Sequence, residues 1–441
     1  MEQILKELQA MMPTSHEVAV RNSKVLAQEV VGTINIPYPF YVKKAKGSRV
    51  TDVDGNDFID LTMGFGPILL GHNPDVVVNA IKETADLGSH FGLTNPFQGE
   101  LAELVVEAAP CGQKVVFCNS GTEATMYAIR AARALTGKNK IGVFVGSYHG
   151  AHDYVTVTAD KKSDPNRPEL KSMGRGVPKE TTDQVFMLPY RHETAFDLIR
   201  EHKDELALVM IEPVQSSNPR LDQGPFLQKL SAVCKENDVL FMMDEIITGV
   251  RLGGFHGAQE FFDVPCDMAT YGKAIGGGMP IGAITASANI MEVFNFHGEG
   301  TTIFSGGTFN GNPMTSRVGT AVMKYIKAHP EIYPYLTEQS ERLASQVNTF
   351  LKEEDYPANL MNAQSMFHLI FTKEPIESAW QVSRKTWQTE VLFYNHLHKN
   401  GVIVPGIHLF FVSAAHTPDD IDQVIEAFKK SFGEVRAKGA I

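Results

Sequence analysis

The chain has little cysteine and tryptophan, four and two among 441 residues. Cys111, Cys118, Cys234 and Cys266 form no C-x-x-C pair, which excludes a disulfide framework or a zinc ribbon and fits buried thiols in a reducing cytoplasm. Positive charge is also short. Lys plus Arg number 40 against 51 Asp plus Glu, a formal charge of −11, so nothing favours nucleic acid or an anionic membrane surface as partner. Long apolar runs are missing: a membrane-spanning helix needs about 20 apolar residues in a row. The longest stretches, such as Leu206–Ile211 and Val239–Met243, have the length of buried strands. Glu2 and Glu7 accompany Ile4, Leu5 and Leu8 at helical spacing, unlike a secretory signal. No internal repeat or low-complexity tract is visible. With 43% hydrophobic residues, what remains is a large globular protein, too long for one core of ordinary size.

Thr14 and Glu17, three apart, predict a capping box opening a helix toward Val30. Strand-like runs follow at Phe40 to Val42 and Arg49 to Asp60, the second broken by Asp54-Gly55-Asn56 as a hairpin turn. From about residue 75 to 310, helical patterns alternate with short apolar runs: 115–118, 140–145, 206–211, 239–243, 268–271 and 281–285. That alternation predicts an α/β domain with a mostly parallel sheet covered by helices. Residues 161–183, polar and containing Pro and Gly, read as a surface loop. After Gly311-Asn312-Pro313 come two long helices, 314–329 and 335–354, then short strands near 367–371 and 410–412. The expected division is an N-terminal segment 1–60 belonging to a small α+β domain, a large domain 61–312, and the rest of the small domain at 313–441.

Three local patterns carry chemistry. Lys273 ends an apolar run and precedes Gly276-Gly277-Gly278, at the carboxyl end of a strand, where open α/β sheets bind ligands. A lone lysine is most often a solvated charge. Ala274 stands where a P-loop needs Ser or Thr, and the glycines lack dinucleotide-fingerprint spacing. Asp244 ends the run 239–243, where burial is costly unless a cation or donor meets it. It suits a protonated pyridine nitrogen with a lysine elsewhere forming a Schiff base, the pairing pyridoxal phosphate needs; capping the next helix is the plainer reading. Residues 118–124 read as strand, small-residue turn, then helix, so amides, hydroxyls and helix dipole make either a phosphate site or an ordinary N-cap.

Together these segments resemble a known family. Asn119-Ser120-Gly121-Thr122-Glu123-Ala124, Tyr148-His149-Gly150, Ile211-Glu212-Pro213-Val214, Asp244-Glu245-Ile246-Ile247-Thr248-Gly249-Val250-Arg251, Gly272-Lys273 and 307–313 occur in the order of class III aminotransferases. From about residue 35 to 425 the chain looks most like the glutamate-1-semialdehyde aminomutase branch. The resemblance implies a fold-type-I pyridoxal phosphate enzyme, a homodimer sharing active sites between subunits. It implies that Lys273 is the Schiff-base lysine and proton shuttle, and that Asp244 holds the ring nitrogen protonated. Ser120, Gly121 and Thr122 would bind the phosphate, with Thr308 reaching in from the neighbouring subunit. Tyr148 would stack on the ring, Ile246 pack its other face, Glu212 lie near the ring hydroxyl, and His149 stand behind. His149 and His152 without a third ligand do not make a metal site.

Two departures from that branch bear on substrate. The aminomutase pattern expects an arginine after Asn-Ser-Pro-Val, whereas Asn35-Ile36-Pro37-Tyr38-Pro39-Phe40 has Pro39 there. It expects a glutamate in a Pro-Ser-X-X-Glu segment, whereas 405–410 contains Gly406, Ile407 and His408. Arginine is the natural bidentate partner of a carboxylate. Its loss predicts an acceptor with a masked acid, such as a β-keto acyl thioester on a carrier protein, as in aminotransferase modules of lipopeptide and polyketide synthetases. The alternatives are the aminomutase itself or a free β-amino acid aminotransferase. Arg220 and Arg251 are candidate cations for the donor carboxylate, each equally readable as a structural ion pair. Tyr38 and His408 are further candidate substrate contacts.

Overall fold

The structure is a computed structural model describing residues 1–27, 38–298, 300–382, 385–406 and 408–441. Asn35, Ile36, Pro37, Ile407 and the expected continuation of the first helices to Val30 lie outside the described residues. The chain packs as two compact units. One comprises 1–75, 334–375 and 382–441, the other 76–333 and 376–381.

The larger unit is built on a seven-stranded sheet. Its order is Lys114–Cys118, Gly282–Ala286, Met268–Gly272, Leu240–Asp244, Leu206–Ile211, Lys140–Phe144 and Val185–Leu188. Gly282–Ala286 runs antiparallel to both neighbours; the other pairings are parallel. Strands buried on both faces read as continuous apolar runs, and every residue of Leu206–Ile211 is buried. Helix Gly121–Thr136 lays Ala124, Ala128, Ala131 and Ala132 on the sheet, small side chains that bring its N-terminus close to the strand ends. The expected loop 161–183 contains a short strand, Leu170–Ser172, paired with Val157–Ala159, and one helical turn, Lys179–Thr182. Of the cysteines, Cys118 and Cys234 are buried, while Cys111 and Cys266 are only half-buried.

In the other unit, Arg49–Asp52 and Asp57–Asp60 form the expected hairpin, edged by Val42–Lys46 and by Val402–Ile403 from the far end of the chain. A second sheet joins Asn359–Ala363, Met366–Ile370 and Phe410–Phe411. The expected capping box at Thr14 does not form. Helix Pro13–Asn22 has no side-chain cap of its own; instead the hairpin's Asp54 accepts from Thr14 N at 2.7 Å and Ser15 N at 3.0 Å. A carboxylate 40 residues away meets the first-turn amides and the positive helix end better than Glu17 within the helix. Among the described residues no helix is long and apolar enough to cross a membrane.

Candidate active site

Chain direction explains why the marked residues meet. Strand Lys114–Cys118 delivers Ser120, Gly121 and Thr122; Lys140–Phe144 delivers Tyr148 and His149; Leu206–Ile211, Leu240–Asp244 and Met268–Gly272 deliver Glu212, Asp244 and Lys273. These five strands run the same way, so the residues gather at one carboxyl edge. A cavity of about 190 Å³ there is lined by Gly121, Thr122, Tyr148, Glu212, Asp244 and Lys273, among others.

Each wall has a local cause. Ser120 caps helix Gly121–Thr136, its hydroxyl accepting from Glu123 N, while the Glu123 carboxylate accepts from Asn119 N at 2.6 Å. The first-turn amides point outward with the helix's partial positive charge. Strand Gly282–Ala286 passes directly beneath: a Cβ on Gly282 would stand 2.1 Å from the Ser120 carbonyl oxygen. Gly150, at φ +107°, lets the Tyr148-His149 turn close against Thr122, which a Cβ would meet at 2.7 Å. Lys273 follows its strand in a 3-10 turn at φ +46°, a left-handed conformation that non-glycine residues adopt at a cost of about 1–3 kcal/mol.

The floor is polar and buried. Asp244 is buried; its Oδ1 accepts from Thr270 Oγ1 at 2.9 Å, and its Oδ2 lies 2.7 Å from His149 Nδ1. Glu212, also buried, accepts from Tyr148 N at 2.8 Å. Burial pushes its carboxyl up to about 7, against the pull of His149 and the Tyr148 amide. Burial brings the Lys273 ammonium down to about 8, opposed by Glu212, assisted by Arg251 and opposed by Asp244. Ile246 packs against Gly121 and Gly272, whose Cβ positions fall 3.1 Å from it.

The remaining candidates are not in this wall. Arg220 is held by Asp222, with Nε at 2.8 Å, and by the Ile376 carbonyl at 2.6 Å. Arg251 is 2% exposed, and burial lowers its guanidinium to about 10. Tyr38 and His408 belong to the other unit: the Tyr38 hydroxyl donates to the Met12 carbonyl at 2.8 Å, and the His408 ring meets Phe65 edge-on. Thr308 is exposed and outside the cavity lining. Thr125 and Thr270, which the sequence did not mark, brace the site. Only the register Asp244 opposite Thr270 would have exposed the second.

The class-III aminotransferase family model matches residues 32–432. The chain belongs to the class-III aminotransferases. A glutamate-1-semialdehyde 2,1-aminomutase of Methanocaldococcus jannaschii is 37% identical over 428 residues, covering 93% of this chain and 97% of that protein. An omega-transaminase from Sphaerobacter thermophilus superposes with TM-score 0.90 at 29% identity, covering 96% and 98% of the two chains. A beta-phenylalanine aminotransferase from Variovorax paradoxus does so with TM-score 0.86 at 26% identity, covering 99% and 97%. This aminotransferase is therefore a pyridoxal phosphate enzyme of fold type I. The residues present fit the cofactor: an N-capped helix start under the Ser120 turn for a phosphate, a buried carboxylate for a protonated ring nitrogen, and a lysine of lowered basicity in the cavity lining.

Proposed function

We propose that this aminotransferase moves amino groups on free small molecules, with glutamate-1-semialdehyde, whose amino group is shifted from C2 to C1, as first substrate. Support comes from the end-to-end likeness to a protein named for that reaction, at 37% identity. That name favours a free substrate over the expected carrier-bound acceptor. A second reading, transfer from a free β-amino acid to a separate oxo acid, is favoured by Pro39 where the aminomutase pattern has arginine and by the likeness to the beta-phenylalanine enzyme. The cytoplasm is the compartment consistent with four unpaired cysteines.

Bound pyridoxal phosphate supplies an electron sink for the pair left when a proton leaves the amino-bearing carbon. In this reading Ser120, Gly121 and Thr122 hold the phosphate, Asp244 keeps a proton on the ring nitrogen, and Tyr148 and Ile246 flank the ring. Glu212, sharing the buried floor, faces the ring hydroxyl side. Lys273 Nζ takes the substrate proton and returns it to a neighbouring carbon, a task suited to an amine titrating near 8. Two copies associate, and Thr308 reaches the partner's phosphate site. Leu93, Phe304 and Phe309, the last 5.0 Å from the His90 ring, are exposed apolar side chains suited to that contact.

Incubation with glutamate-1-semialdehyde alone separates the readings. Isomerisation without a second substrate supports the first, and turnover only with a β-amino donor plus an oxo acid supports the second. Turnover confined to thioester acceptors overturns both.

A further inference from the structure

Two turns meet behind the cofactor cavity. Strands Lys140–Phe144 and Leu206–Ile211 are parallel neighbours, so the segments that follow them, 145–148 and 212–217, leave the sheet side by side at its carboxyl edge. The first carries Tyr148 and the second Glu212, both in the cavity lining. Each of four consecutive residues in the first segment is bonded to the second. The Val145 carbonyl accepts from Gln215 Nε2 at 2.9 Å, the Gly146 carbonyl from the Ser217 hydroxyl at 2.8 Å and Ser147 Oγ from Gln215 Nε2 at 3.0 Å, while Tyr148 N donates to Glu212 at 2.8 Å.

Gln215 makes two of those four bonds. It is fully buried and lies outside the cavity lining. A carbonyl oxygen only accepts, so the Val145 contact fixes which end of the amide faces the turn, and the two N–H groups reach Val145 and Ser147. The turn is also confined from its other side. Gly146 stands at φ +86°, and a Cβ there would fall 2.2 Å from Ala379 Cβ and 2.9 Å from Ser217 Oγ. The segment bearing Ala379 is itself anchored, by Arg220 Nη1 on the Ile376 carbonyl at 2.6 Å and by Lys161 Nζ on the Ala379 carbonyl at 3.0 Å.

We propose that Gln215 is a positioning residue: its amide ties both flanks of the Tyr148 turn and so sets the Tyr148 ring over the cofactor and the Tyr148 N–H on Glu212. A neutral amide suits this task, because it supplies two donors to a buried turn without adding a charge to the floor. The effect on the cofactor rests on the reading of Tyr148 as the ring-stacking residue; the hold on the turn does not.

Gln215→Met keeps the side-chain length and removes both donors. The expected result is pyridoxal phosphate bound about tenfold more weakly and kcat lowered by a similar factor, the effect of one or two lost hydrogen bonds. The visible circular dichroism per bound cofactor changes too, a signal of ring orientation that lower stability alone does not move. Ser147→Ala removes one bond and leaves the buried glutamine in place; it moves the same quantities in the same direction by about threefold, and it decides the matter if Gln215→Met does not fold. In Tyr148→Ala, adding Gln215→Met weakens cofactor binding by less than about twofold more, because residues that act through one another are not additive. Full additivity overturns the proposal, and so does unchanged dichroism in both variants. If Tyr148→Ala binds the cofactor as tightly as the parent, the ring-stacking reading fails. Amide exchange at residues 146–148, expected about tenfold faster in Gln215→Met, then still decides whether Gln215 holds the turn, and unchanged exchange overturns that as well.

Discussion

Glu212 and Lys273 line one buried site in which burial disfavours the charge of each. For Glu212 the folded value near 7 stands above the unfolded 4.5, so the native state binds its proton more tightly. That preference favours folding below the unfolded value and is lost as pH rises through 7. Glu212→Gln should therefore gain stability relative to the parent at pH 8 more than at pH 5, by on the order of 2 kcal/mol, in paired urea titrations. An equal difference at both pH values would contradict the raised carboxyl. The same substitution removes the anion that holds Lys273 up, so its amine should titrate below 8 and take up pyridoxal phosphate faster at neutral pH. The pH profile of cofactor uptake measures this, and an upward move would sink it. Asp244→Asn should retain the fold, because its amide oxygen can still accept from His149 Nδ1 while its amide N–H turns to the Thr270 hydroxyl as acceptor, yet lower kcat by about a thousandfold, as loss of a charge-stabilising group does. Wild-type turnover would remove Asp244 from the mechanism. Lys273 and Asp244 could be singled out in the sequence because a charge at the end of an apolar run is conspicuous. Thr125 and Thr270 could not, since a buried Thr has ordinary neighbours in sequence and shows its contacts only through what lies across the fold.

Elements show a similar divide between local and distant causes. The strands of the large sheet were readable because burial on both faces demands uninterrupted apolar runs. The start of helix Pro13–Asn22 was misread because its cap comes from Asp54 in a hairpin, not from Thr14 and Glu17 within four residues. Asp54→Ala should cost about 1 kcal/mol, as loss of an N-terminal cap does, whereas Glu17→Ala should cost almost nothing. Chemical denaturation of the two variants checks the contrast, and a costlier Glu17→Ala would restore the capping box. At the cofactor edge the decisive element is a close approach. Gly282→Ala forces its methyl into the Ser120 carbonyl and should cost about 1–3 kcal/mol while loosening phosphate binding. A variant with unchanged cofactor affinity would show that the turn yields freely.

For the whole molecule, every residue lining the cofactor cavity comes from 76–333 and 376–381. A ligand stabilises what it binds, by about 2.7 kcal/mol at a hundred times its Kd. Calorimetry with pyridoxal phosphate should raise the transition of that unit more than that of the unit made from both chain ends; equal shifts would show that the two unfold as one. Sedimentation should give twice the 48.6 kDa chain mass, and Phe304→Asp with Phe309→Asp should lower both mass and cofactor affinity if these exposed side chains pair two copies. The sequence alone determined the family, the sheet and the order of the chemical motifs, since burial and reactive side chains leave periodic or rare local patterns. Tertiary structure alone decided that Asp54 caps a distant helix, that Arg220 is occupied by Asp222, and that His149 and His152 share one hydroxyl. Those outcomes depend on which donors and acceptors meet across tens of residues, and hydrogen bonds act over about 3 Å of space irrespective of separation along the chain.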